Sequence, residues 1–111
     1  MIKHKLGLLS EYIVAFYYML HLFMPIKHRY KVHVGEIDLI MKRLDQLVFI
    51  EVKARKRGIE ENIITLKQQQ RITRASELFL AQHLEYKHCN IRFDLVVVAP
   101  YSLPKIIKNA W

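Results

Sequence analysis

Hydrophobic and polar positions divide the chain into a few clear segments. From Leu6 to Phe23 nearly every position is apolar, with no β-type alternation, no Pro, and Glu11 as the single acid. This pattern predicts a helix packed into the core and ended by Pro25. Residues 26–34, IKHRYKVHV, roughly alternate and predict a first strand. Ile37, Leu39 and Met41 alternate with Glu36, Asp38 and Ile40 in a second. LDQ forms a turn into LVFIEVKAR, a third strand rich in β-branched residues. Residues 56–64 connect to Thr65, whose T-x-x-Q spacing to Gln68 is a capping box opening a helix over 66–84. That helix has an apolar stripe, Ile72, Ala75 and Phe79, and a basic side, Lys67, Arg71 and Arg74. Residues 91–99 predict a buried strand, and PKIIKN a short edge strand. The order α-β-β-β-α-β indicates an α/β fold, with a central mixed sheet flanked by helices.

At 111 residues, without linkers or repeats, the chain is read as one domain spanning residues 1–111. The apolar N-terminal segment superficially resembles a signal peptide or anchor. Its uninterrupted part, Tyr12 to Leu20, is well short of the roughly 20 residues needed to span a bilayer. No membrane association is therefore expected. A single cysteine, Cys89, excludes an internal disulfide and agrees with a cytoplasmic location. Lys and Arg outnumber Asp and Glu 18 to 10, a formal charge of +8 that points to a polyanionic partner, nucleic acid first.

Candidate chemistry lies in the hairpin GEIDLIMKRLDQLVFIEVKAR. If its turn centres on Leu44 and Asp45, Asp38 lies opposite Glu51 and Glu36 opposite Lys53. Ile37, Leu39 and Met41 then share the other face with Val48, Ile50 and Val52. Facing Cβ atoms on neighbouring strands are roughly 4.5–5.5 Å apart. Two carboxylates that close repel unless a cation intervenes. Mg²⁺ or Mn²⁺, held by hard oxygen ligands, fits that need, and Lys53 adds a positive charge at the same spot. Two acids and a lysine around a metal make a hydrolytic centre for phosphodiesters. A face of mixed charge is ordinarily a solvated surface laced with ion pairs. Here the flanking apolar runs and the opposition of two acids argue against that. The six histidines show no zinc-ligand spacing, and no glycine-rich nucleotide loop is present. Asp94, at the start of an apolar strand, reads as a structural acid paired with an arginine.

An acid in one strand followed by E-x-K in the next resembles the PD-(D/E)xK nucleases, the restriction-endonuclease-like superfamily. The resemblance narrows to the YraN family of small bacterial proteins, which are similar to Holliday-junction resolvases. It rests on Gly7 with Glu11, GEIDLI at 35–40, VFIEVKAR at 48–55, RFDLVVV at 92–98 and IKNAW at 107–111. It spans essentially the whole chain. It implies a restriction-endonuclease-like core in which Asp38 and Glu51 bind the metal, the Val52 carbonyl completes the ligands and Lys53 positions or activates water. Glu11 matches an acid that related nucleases place beside the metal; the residues alone leave open that it pairs with Lys or Arg. Where the family often has Lys, this chain has Gln68, and where it shows N-x-R upstream of GEIDLI, this chain has Arg29 and Lys31.

The expected function is metal-dependent hydrolysis of DNA, branched or otherwise structured. Arg55, Lys56, Lys67, Gln68, Arg71 and Arg74 would form the phosphate-binding face. Resolvase-like action generally uses two active centres, which implies a homodimer. The alternative is a nucleic-acid-binding or partner-binding module that keeps the fold without turnover.

Overall fold

The computed structural model describes residues 2–55 and 64–111, with side chains from residue 7 onward. Helix α1 (Ile2–Leu20) is followed by β1 (Met24–Val32), β2 (Gly35–Arg43) and β3 (Gln46–Ala54). Helix α2 (Leu66–Gln82), a 3₁₀ turn (Leu84–Tyr86), β4 (Asn90–Val98) and the short edge strand β5 (Lys105–Ile107) complete the fold. The strands form one mixed sheet in the order β1-β2-β3-β4-β5, antiparallel except for the parallel β3–β4 pair. A parallel pair requires a crossover, and α2 supplies it.

The helices cover opposite faces. Leu47 and Phe49 pack with Ile72, Ala75 and Phe79 of α2, whereas Val48 and Ile50 pack with Val14 and Tyr18 of α1. β3 is thus buried on both sides, as its continuous apolar run requires. The β2–β3 turn holds Leu44 at φ 52°, and Leu39 faces Ile50 and Met41 faces Val48. This is the register expected from a turn centred on Leu44 and Asp45. Both halves of the capping box form: the Gln68 N–H donates to Thr65 Oγ1 and the Thr65 N–H to Gln68 Oε1, each at 3.1 Å.

Three expectations need correction. α1 is not enclosed by the core: among its described side chains only Ser10, Glu11, Val14 and Tyr18 are buried, because no described residue packs on its outer side. It also ends before Pro25. Leu22 takes φ 70°, the Phe23 N–H donates to the Tyr18 carbonyl, and the two rings meet edge to face at 5.2 Å. That is a Schellman-type stop with leucine in the place glycine usually takes. Finally, Ile37 does not share a face with Leu39 and Met41. It packs on the α2 side with Tyr30, while they pack on the α1 side. The cause is Arg29, at φ 54° in β1, which with Asp38 drops out of the β1–β2 ladder. Alternation slips by one there on both strands while the register is kept; the register itself shifts earlier, between Pro25 and Lys27.

Asp94 behaves as a structural acid. Fully buried, it accepts two hydrogen bonds from Arg92 (2.9 and 2.8 Å), one from Tyr18 Oη (2.7 Å) and one from the Asn109 N–H (3.3 Å). Burial, and then the Asp94 charge, raise the Tyr18 phenol well above its ordinary value. Among the described residues no helix is long and apolar enough to cross a membrane.

Candidate active site

The slip at Arg29 builds the site. In a regular strand His28 and Arg29 would point to opposite faces. Here both reach Glu11 on the inner side of α1. His28 Nε2 donates to Glu11 Oε1 at 2.6 Å, and Arg29 Nε donates to the same oxygen at 2.9 Å. Arg29 Nη2 reaches Oε2 at 3.4 Å. Hydrogen bonding to Glu11 holds the guanidinium in its charged form, with smaller contributions from the charges of Glu11, Asp38 and Glu36. Glu11 is therefore both an acid beside the cleft and the centre of an ion-pair cluster.

Asp38 stands across from Arg29, where β2 leaves β3. The β2–β3 ladder ends at Leu39–Ile50, one pair short of Asp38 and Glu51. If the ladder continued, the Val52 N–H would face the Ile37 carbonyl. Instead it donates to Asp38 Oδ2 at 2.8 Å. Because N–H and C=O of one strand residue point the same way, the Val52 carbonyl faces the same gap. The Asp38 carboxyl is pushed up to about 8, first by burial and then by the Glu51 charge. Glu11 and hydrogen bonding with Glu51 add to the rise, while the Val52 amide pulls it back. Lys53 Nζ lies 3.1 Å from Glu51 Oε2, both side chains mostly buried. Glu36 is exposed and pairs across to Lys31, so the sequence-derived partner of Lys53 is replaced by Glu51.

A cleft of about 190 Å³ opens here, lined by Glu11, Arg29, Lys31, Glu36, Ile37 and Asp38. Asp38, Glu51 and the Val52 carbonyl make an all-oxygen donor set suited to a hard cation, and a divalent ion would relieve the repulsion that raises Asp38. Glu11 fits less directly, because both its oxygens already accept hydrogen bonds. Among the described residues no group of three or more His, Cys, Asp or Glu is arranged to hold a metal. Any ion would thus rest on two carboxylates, a carbonyl and water.

The basic residues form a separate surface. Lys67, Arg71 and Arg74 are exposed on α2 and line an open groove of about 700 Å³ with His33, Val34, Leu66 and Gln70. Beside the groove residue Val34, Gly35 packs directly on the α2 backbone: a Cβ there would overlap the Arg71 carbonyl oxygen and lie 2.8 Å from its carbon. Asp38 follows Gly35 by three residues, so groove and carboxylates are about 10 Å apart along β2. Arg55 ends the β3 run, donating to its neighbour's carbonyl at 3.0 Å. Gln68 Oε1 is committed to the helix cap. Lys56 lies outside the described residues. Sequence reasoning missed His28 as a partner of Glu11, Lys31 as a wall of the cleft, and His33 and Gln70 in the groove. No periodicity could have found His28 and Arg29 together, since their convergence depends on the local slip.

Residues 10–98 match the model of the family described as "Uncharacterised protein family UPF0102". A UPF0102 protein of Ehrlichia ruminantium is 40% identical over 109 residues, covering 97% of this chain and 84% of its own length. One from Rhizobium etli is 35% identical over 106 residues, covering 95% and 87%. A third, from Paramagnetospirillum magneticum, is 46% identical over 80 residues, covering 69% of this chain and 60% of its own length. The matched stretch contains Glu11, the Asp38–Glu51–Lys53 hairpin and the basic face of α2, and on these matches the chain belongs to the UPF0102 (YraN) family.

Proposed function

We propose that this protein is a metal-dependent endonuclease that hydrolyses phosphodiester bonds in DNA, with structured or branched DNA as the favoured substrate. The observation that carries the reading is the meeting of Asp38 with Glu51 at the point where β2 and β3 separate. A solvated ion-pair face has no use for two neighbouring half-buried acids.

Asp38, Glu51 and the Val52 carbonyl would hold Mg²⁺ or Mn²⁺. Once bound, the ion supplies Lewis-acid polarisation of a phosphoryl oxygen and acidifies water. The protein's own groups do the rest. The Val52 N–H fixes the Asp38 carboxylate in orientation. Lys53, positioned by Glu51, offers an ammonium to orient the attacking water or to steady charge developing on the phosphate. The exposed cations of α2 engage the backbone at a sequence-independent level. Two such clefts in a homodimer would suit paired cuts in a junction.

A second reading, a binding module without turnover, draws on one observation: among the described residues the ion would have two carboxylates and a carbonyl, both oxygens of Glu11 being taken by His28 and Arg29. The deciding assay incubates duplex, single-stranded and four-way-junction DNA with Mg²⁺, Mn²⁺ or EDTA, beside Glu51→Ala. Metal-dependent cutting lost in the variant is expected. Binding without cutting under every metal would favour the second reading.

A further inference from the structure

Among the described residues, the outer side of α1 is an unpartnered apolar face. Leu9, Tyr12, Ile13, Phe16, Met19 and Leu20 are each between 39% and 63% exposed. From Gly7 to Leu20 the only charged residue is Glu11, and it points inward to His28 and Arg29. A chain with 25% charged residues thus leaves this side of α1 uncharged from Gly7 to Leu20.

We infer that this face is the interface of a homodimer in which two α1 helices pack antiparallel about a two-fold axis near Val14 and Ala15. Two observations select a second copy of the chain over another occupant. The first is spacing. Leu9, Ile13, Phe16 and Leu20 stand four, three and four residues apart, a pattern that reads the same in both directions. A two-fold interface needs such self-complementarity. Antiparallel packing sets Leu9 against Leu20 of the second copy and Ile13 against Phe16, at the 8–10 Å axis separation of packed helices. The second is area. At about 200 Å² for a large side chain, the exposed fractions amount to roughly 650 Å², approaching the ~800 Å² each partner buries in a stable complex and above an ordinary monomer patch. This goes beyond the general expectation of a dimer by assigning the face and its geometry. It stands whether or not the cleft hydrolyses anything.

The test is sedimentation equilibrium of the full chain across the micromolar range, with circular dichroism to confirm folding. The wild type should approach twice 13.3 kDa. Phe16→Glu and Leu20→Lys, each removing contacts from both copies, should each raise the dimer dissociation constant roughly 100-fold or more with unchanged helicity. Mixing Leu9→Cys with Leu20→Cys chains should yield an oxidised cross-linked heterodimer. A wild type that stays monomeric overturns the inference, and binding of that monomer to acidic lipid vesicles would give the face to a membrane surface instead. A dimer unaffected by both charge substitutions overturns the assignment of the face.

Discussion

The Asp38 carboxylate accepts the Val52 backbone N–H at 2.8 Å, at the first position where the β2–β3 ladder no longer pairs. A side chain replaces the backbone acceptor that β2 would otherwise supply. Splayed strands thereby gain a fixed carboxylate without leaving a buried donor unpaired.

Asp38 makes the metal-free protein sensitive to alkaline pH. Its carboxyl sits at about 8 against an ordinary 3.8, so between those values the folded state holds a proton that the unfolded state has released. Stability should therefore be fully retained below about pH 4 and fall as pH rises towards 8, by an amount of the order of a few kcal/mol. Thermal melts of Asp38→Asn should show a flatter profile over this window. Mg²⁺ should raise the wild-type melting temperature more at pH 9 than at pH 5, and leave the variant unmoved.

Arg29 has two separable roles. Arg29→Ala removes a partner from buried Glu11 and leaves the φ of 54° strained, so a loss of about 2–3 kcal/mol is expected. Arg29→Gly removes the same partner but relieves the backbone, and should be less destabilising by about 1 kcal/mol. Urea unfolding of both variants tests the difference; equal losses would discount the backbone role.

Gly35 should tolerate no side chain. In Gly35→Ala the new methyl meets the Arg71 carbonyl of α2, which is backbone and cannot rotate away. The expected result is a loss of about 1–3 kcal/mol, as for other overpacked sites. Because the same contact seats Arg71 against the strand next to the groove residue Val34, DNA affinity should fall with it in a gel-shift series at fixed salt.

Lys67 and Arg71 should act as phosphate contacts. Lys67→Ala and Arg71→Ala would each flatten the dependence of log affinity on log salt by about 0.9 and leave thermal stability nearly unchanged. Fluorescence anisotropy with a labelled duplex at several salt concentrations measures the slope, and an unaltered slope would remove the residue from the interface.

Asp94 should be essential for stability. Asp94→Ala strands the Arg92 guanidinium and the buried Tyr18 hydroxyl, and a loss of about 3–5 kcal/mol is expected on chemical denaturation.

Much of this was legible in the chain. The Thr65–Gln68 box, the two-residue turn at Leu44 and Asp45, and the edge strand at 105–107 are all local features, and all form. The pairing of Asp94 with an arginine followed from an acid placed on a buried strand. Sequence reasoning missed the 3₁₀ turn after α2, and it placed Ile37 on the wrong face because it assumed unbroken alternation.

The sequence by itself determined the order of elements, the register of the hairpin and the approach of Asp38 to Glu51, because apolar periodicity and turn length are properties of neighbouring residues. Tertiary structure alone decided the rest. The slip opposite Asp38 depends on Arg29 adopting a positive φ, stabilised by Glu11 from a helix 18 residues earlier. The burial of one side of α1 and the exposure of the other depend on where the sheet ends and solvent begins, which an almost uniformly apolar helix cannot announce.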